Sequence, residues 1–174
     1  MSLEQLADTL KSHFIETIHF SVTSGLMHTI RMRFDEWYKP TGFDPDIIQT
    51  VRAIDHTKRQ NVQYFDPIAY AIKYNAFSSD QLQRLDTKYT QMYNYQWKKN
   101  RDKIIQYNLN GNIHTTHHYC TEILKKPITQ CTQAIEIVKQ SVQQDVKTGN
   151  FVIPKPKSFA ETYKEARGFY FQHI

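Results

Sequence analysis

Imidazole and thiolate are the side chains that bind zinc at neutral pH. This sequence concentrates them in one stretch, His114-Thr115-Thr116-His117-His118-Tyr119-Cys120, with a second cysteine at Cys131. His114 would share a helical face with His117 or His118 if a helix began early enough. The spacing matches no zinc signature, and Cys131 lies beyond Pro127 on a different element. The simpler reading is a polar helix start with solvated histidines and two buried, reduced thiols. Zinc binding by His114, His117, His118 and Cys120 is therefore kept only as an alternative, and neither a metal nor another cofactor is expected.

A second arrangement pairs His19-Phe20-Ser21 with His114-Thr115-Thr116. On strands, each His-x-Ser/Thr motif would aim both side chains at one face. Two-histidine phosphoesterases set an acid and a base around a phosphodiester in that way. Chance accounts for most of this pattern in a chain with 8 histidines, and the long helical stretch between the motifs differs from a strand-rich fold. Other catalytic devices are missing. There is no glycine-rich phosphate loop, no nucleophile elbow and no His-Glu-x-x-His. With 5 glycines, few places allow backbone to approach a nucleotide closely. The carboxylate pairs Asp35-Glu36 and Asp44/Asp46 fall at helix or turn boundaries, where capping explains them. The chain is not expected to be an enzyme, and a small phosphoesterase at His19 and His114 is the catalytic alternative.

Binding chemistry is better represented. Tyr95, Trp97, Lys98, Lys99, Arg101 and Lys103 interleave aromatic rings with cations, flanked by Tyr89, Tyr93 and Tyr107. Such residues stack bases and neutralise phosphates, and they also dominate protein interface hot spots. Read by helical face, Tyr89, Tyr93 and Trp97 lie four apart and continue a core stripe, which leaves the lysines in solvent. At the C-terminal end, Phe169-Tyr170-Phe171 are consecutive aromatics on a helix, so they cannot all face one way. Tyr95, Trp97, Lys98, Lys99, Arg101, Lys103, Phe169, Tyr170 and Phe171 are the expected partner-binding residues. Lys155-Pro156-Lys157 adds basic charge in an extended stretch.

These residues need elements to hold them. Ser2 with Gln5, Ser78 with Gln81 and Ser158 with Glu161 are capping boxes, and Asp44-Pro45 and Asp66-Pro67 start two further helices. The first helix is predicted from about Leu3 to Glu16. Ile18, Phe20 and Val22 then alternate with polar residues, as do Ile30, Met32 and Phe34 after Gly25, which predicts a β-hairpin over residues 17–34. A helix through Leu26, Ile30, Phe34 and Trp37 is its rival. A long helix is expected from about Asp80 to Tyr107, a short one from about Thr116 to Lys125, and one from Ile128 to Thr148 closed by Gly149. The fold class is mainly α, with about six helices and the hairpin in one domain, 1–174. Segment 150–157 is an extended, Pro-containing link to a C-terminal helix, 159–172.

Composition sets the outer bounds. The 174 residues are 40% hydrophobic and 13% aromatic, too apolar for a disordered chain. The longest apolar run, 68–72, is far below the ~20 residues of a membrane helix. Glu4 and Asp8 stand where a signal peptide carries positive charge. A net charge of +5 is only mildly basic. Eleven Tyr, ten Phe and two Trp exceed what a small helical core uses. The sequence thus points to a non-catalytic subunit or adaptor of a larger assembly, with a viral or phage structural component as one natural setting. It would bind a protein partner as a homo- or hetero-oligomer, without a membrane, in the cytoplasm or a virion. Nucleic-acid binding through residues 89–107 is the alternative.

Overall fold

The computed structural model describes residues 1–35, 42–60, 62–172 and 174. Every regular element among them is helical. They are α1 (Leu3–Asp35), α2 (Pro45–Lys58), α3 (Pro67–Lys73), α4 (Ser79–Gly111), α5 (Ile113–His118), α6 (Ile128–Thr148), α7 (Phe159–Ala166) and α8 (Gly168–Phe171). A π-helical turn, Tyr119–Ile123, continues α5. The three capping boxes form as expected, with Ser2, Ser78 and Ser158 accepting from the amides of Gln5, Gln81 and Glu161. Gly149 closes α6 in the left-handed region at φ 76°, where the Asn150 amide donates to the Asp145 carbonyl.

Two fold expectations are overturned. The hairpin over 17–34 does not exist, because α1 runs unbroken through it, and Gly25 is not among the residues with positive φ. The alternation was incidental. A strand would bury Phe20 beside Ile18 and Met32 beside Ile30, yet Phe20 is 52% and Met32 43% exposed. The buried set is Leu10, Phe14, Ile18, Met27, Ile30 and Phe34, which follows the helical period. The rival helical stripe through Leu26, Ile30 and Phe34 is the observed one, and Trp37 lies outside the described residues. The count of about six helices also fails, since the described residues form eight. One of the extra breaks is at Arg167, whose φ −124° and ψ 34° end α7 and split the expected helix 159–172.

The chain divides into two compact units, to both of which α1 and α4 contribute. The first comprises Met1–Val22 and Gln96–Lys155. Its core draws on Leu6, Leu10, Phe14 and Ile18 of α1, Ile105 and Leu109 of α4, and Ala134, Val138 and Val142 of α6. Lys11 Nζ ties α1 to α6, donating to Asp145 Oδ2 at 2.6 Å and Ser141 Oγ at 2.8 Å. Trp97 stacks on Phe151 with ring centroids 6.0 Å apart, which pins the start of the irregular segment after α6. Asn100 kinks α4 with φ −123° and ψ 20°.

The second unit comprises Thr23–Tyr95 and Pro156–Ile174. A buried carboxylate is its hub. Asp66, fully buried, caps α3 by accepting from the Ile68 and Ala69 amides at 2.9 and 3.1 Å through Oδ1. Its Oδ2 accepts from the Tyr163 hydroxyl at 2.6 Å and from Arg167 Nε at 2.9 Å. Arg31 Nε of α1 lies 3.7 Å from Oδ1. One side chain therefore joins α1, α3, α7 and the break before α8. Burial, and after it the neighbouring Asp66 carboxylate, hold the Tyr163 phenol well above its ordinary range. A second, exposed hub binds α2 to α4. Arg84 grips Asp46 with Nη1 and Nη2 at 2.8 and 2.6 Å, and reaches Asp44 at 2.6 Å and Asp80 at 3.0 Å. Asp44 thus faces Arg84 instead of capping α2 with its side chain.

Two outcomes follow from these hubs. Replacing Tyr163 by Phe leaves Asp66 one donor short in a buried site, and urea unfolding at pH 7 should show a loss of roughly 1.5–3 kcal/mol. The raised phenol favours the folded state below its ordinary range and loses that advantage as pH rises through the raised value. The wild-type protein should therefore lose stability faster than Y163F above about pH 10. At the exposed hub, Arg84 hydrogen bonds above all hold the Asp46 carboxyl well below the usual carboxylate range. That contribution is present above the ordinary carboxylate value and fades as pH falls through the depressed one. The melting-temperature gap between wild type and Arg84→Gln should accordingly narrow below roughly pH 4; a gap independent of pH would contradict the role given to Arg84.

Candidate protein-interaction surface

Tyr64 and Phe65 precede α3, Tyr70 lies on it and Tyr74 directly follows it, and Phe169 and Tyr170 belong to α8, which packs on α3. The rings fall into two sets in the second unit, one around Phe169 and one around Tyr70. Tyr64 meets Phe169 edge to face at 5.6 Å, Phe169 meets Tyr170 at 5.3 Å, and Tyr70 meets Tyr74 at 4.5 Å. Tyr64, Tyr74 and Phe169 are exposed, with 53% of Phe169 open to solvent. Cations lie among them. Arg167 sits 4.2 Å over the Tyr170 ring, Lys73 is 5.5 Å from the centre of Tyr74, and Arg59 is 5.8 Å from that of Phe65. Edge-to-face rings beside guanidinium and ammonium groups present both apolar area and positive potential to a partner.

The backbone that carries these rings is held at both ends. Arg167 leaves helical geometry at the point where its Nε reaches Asp66, so the turn between α7 and α8 is fastened to the cap of α3. Asp66 and Tyr163 lower the energy of the Arg167 charge enough to outweigh its burial and raise its affinity for the proton. Further on, Lys73 Nζ donates to the Ile174 main-chain oxygen at 2.8 Å. Asp86 Oδ1 of α4 accepts from the Phe159 amide at 2.7 Å, which fixes the start of α7.

The residues expected from sequence to bind a partner divide by exposure. Phe169 lies at the centre of this surface, and Tyr170 and Phe171 are half-buried beside it. On α4, Tyr95, Lys98, Lys99 and Lys103 are exposed. Trp97 is 1% exposed, packed on Phe151, and so continues the core stripe of Tyr89 and Tyr93. Arg101 occupies the next position of that stripe, half-buried, with Nε and Nη2 shielded from solvent. Tyr64, Tyr74 and Arg167 were not singled out from the sequence. Their signal was Tyr64-Phe65-Asp66-Pro67, in which aromatic residues flank a helix cap, but nothing in that string says that the cap also receives Arg167.

The metal and phosphoesterase alternatives lose their geometry. Cys120 and Cys131 form a disulfide, with no free cysteine, so the expected reduced thiols are corrected and neither sulfur is available to a metal. The π-helical turn and the start of α6 pack together, which brings the two residues to a Cα separation of 5.8 Å. No metal-binding group of three His, Cys, Asp or Glu exists among the described residues. His114 and His118 are exposed, and His117 Nε2 lies 3.3 Å from Thr132 Oγ1. His19 and Ser21 lie on α1, and His114 and Thr116 on α5, so each pair is separated by about 200° around a helix and shares no face. His13, missed from sequence, stacks on Tyr119 at 4.1 Å, and its Nδ1 is 3.1 Å from Thr116 Oγ1. Burial lowers its pKa against the opposing pull of Glu16.

No helix of the described residues is long and apolar enough to cross a membrane. Comparison of the chain with family models, with curated proteins and with solved structures finds no match.

Thiol titration tests the disulfide directly. Unreduced protein in denaturant should show no reactive thiol, and reduced protein two. Closing a short loop across a sequence separation of 11 should also make the Cys120→Ala/Cys131→Ala variant less stable than the unreduced wild type by about 3 kcal/mol. Two reactive thiols without reductant would refute the bridge.

Proposed function

We propose that this chain is a non-catalytic subunit or adaptor of a larger assembly, which it joins through the aromatic and cationic surface of α3 and α8. The observation that carries this reading is the exposed pair Tyr64 and Phe169 in edge-to-face contact, with the exposed Tyr74 at the end of α3, on which α8 packs, and with Arg59, Lys73 and Arg167 against neighbouring rings. Single exposed aromatics are ordinary on a protein surface, whereas a cluster of them marks an interaction site. Tyr and Arg are the residues enriched at interface hot spots. Clamping by Asp66 favours binding as well, because a surface ordered before contact loses less conformational entropy when the partner arrives.

A protein partner is preferred over nucleic acid on one specific ground. The ring best suited to stacking bases on α4, Trp97, is buried. The partner is a second copy of this chain or another subunit, and a viral or phage particle is a fitting context. A buried disulfide supports an oxidising setting, such as the outside of a particle, over the reducing cytoplasm.

Affinity capture from the native host, followed by mass spectrometry and native mass measurement, tests this reading. Wild type should retain a defined partner. The Tyr64→Ala/Phe169→Ala variant should bind it at least thirtyfold more weakly, as loss of a hot spot of about 2 kcal/mol requires, with an unchanged melting temperature. A strict monomer that retains nothing, or a partner held equally by the variant, would overturn it.

A further inference from the structure

We infer that the Cys120–Cys131 bridge is a redox latch, whose reduction by a dithiol opens the connection between α5 and α6 while the other helices stay folded. That connection is built from uncommon backbone. In the π-helical turn the Leu124 amide donates to the Tyr119 carbonyl at 3.0 Å, and the Lys126 amide reaches back to the Cys120 carbonyl at 3.1 Å. Such wide turns are rare and recur at functional positions. Lys125 then takes the left-handed region at φ 59°, a conformation that suits glycine and strains a residue with a Cβ. Helix α6 follows Pro127 without a side-chain cap.

Packing does little to offset that strain. Across residues 119–128, Cys120 alone is buried. Ile123 and Ile128 are 64% and 70% exposed, so the closed form gains little from burying them. The bridge supplies what packing does not, since it ties Cys120 in the turn to Cys131 in the first turn of α6. Without it, a strained and exposed segment gains conformational entropy by opening. Helix α6 has anchors of its own. It buries Ala134, Val138 and Val142, and Lys11 holds its Ser141 and Asp145 to α1. Opening therefore stops at the edges of the segment, and it frees Tyr119 from its stack on His13 of α1.

The chemical step is thiol–disulfide exchange. A thiolate of the dithiol attacks one sulfur of the bridge, forms a mixed disulfide, and expels the other cysteine as a thiolate that takes up a proton. The second thiol of the reductant loses its proton, attacks the mixed disulfide, and expels the remaining cysteine, which is protonated in turn. The dithiol ends as a disulfide, oxidised by two electrons, and Cys120 and Cys131 end as two thiols. Both cysteines are fully buried, so attack waits for the segment to open locally, and the strain at Lys125 favours that opening. The latch is closed where disulfides persist and open where dithiols keep thiols reduced.

The probe is dithiothreitol, added to the full chain without denaturant. Reduction should run at least tenfold faster than global unfolding, because it needs only local opening. The reduced protein should keep its helical circular-dichroism signal. In two-dimensional NMR the amides of residues 120–126 should move to random-coil positions and exchange at least tenfold faster, while those of residues 134–146 and of α2, α3 and α7 keep their native shifts. The Cys120→Ala/Cys131→Ala variant should show the same pattern with or without dithiothreitol. Lys125→Gly should slow reduction about fivefold, because glycine accepts the left-handed backbone without strain. Loss of the helical signal on reduction would make the bridge a staple of the whole unit and overturn the proposal. So would native shifts at residues 120–126 after reduction, reduction no faster than global unfolding, or an unchanged rate in Lys125→Gly.

Discussion

A single buried carboxylate organises the second unit. Asp66 cannot be hydrated where it stands, and an isolated ion in such a place would cost several kcal/mol. The chain offsets that cost by bringing donors from separate elements, two amides of α3, a phenol of α7 and a guanidinium at the end of α7, and an ion pair with a second guanidinium on α1. A buried ion pair is weak ground for stability, since an apolar replacement of the same volume is often neutral or better. Its consequence here is positional. The donors can satisfy Asp66 in only one arrangement, so the cap of α3, the break after α7 and the C-terminal half of α1 are fixed by one atom pair, Oδ1 and Oδ2. The exposed aromatic rings of α8 border that arrangement.

Much of the helical layout was legible. Helix α6 begins and ends at the residues its period and its terminal glycine indicated, because local capping and one amphipathic stripe decide it. The three Ser-based capping boxes were legible for the same reason. Helix α1 was misread beyond Glu16 because apolar residues at 18, 20 and 22 satisfy a strand period over a short window. The helical period emerges only over the full 33 residues. The C-terminal helix was drawn too long since its break depends on Arg167 reaching a residue 101 positions earlier. No local pattern encodes a contact of that range.

The candidate surface was legible by half. Phe169 could be picked out because three adjacent aromatics cannot share one helical face. Tyr64 could not, since only the packing of α8 on α3 makes it a neighbour of Phe169. The two Phe-Asp-Pro strings illustrate the limit. Both begin helices, yet Asp66 is buried and caps with its side chain, while Asp44 is exposed and pairs with Arg84. The same string serves opposite electrostatic environments, and only tertiary context separates them. The cysteines show the same limit: spacing alone did not distinguish two buried thiols from one bridge.

The central claim is that Asp66 and Arg167 act together to set the C-terminal arm. A double-mutant cycle of Asp66→Asn and Arg167→Met, read by urea unfolding and by amide exchange over residues 168–171, tests it most directly. A coupling of about 2 kcal/mol, with exchange protection across the arm lost in either single variant, is the expected result. Additivity within about 0.5 kcal/mol and unchanged exchange in the arm would contradict the account.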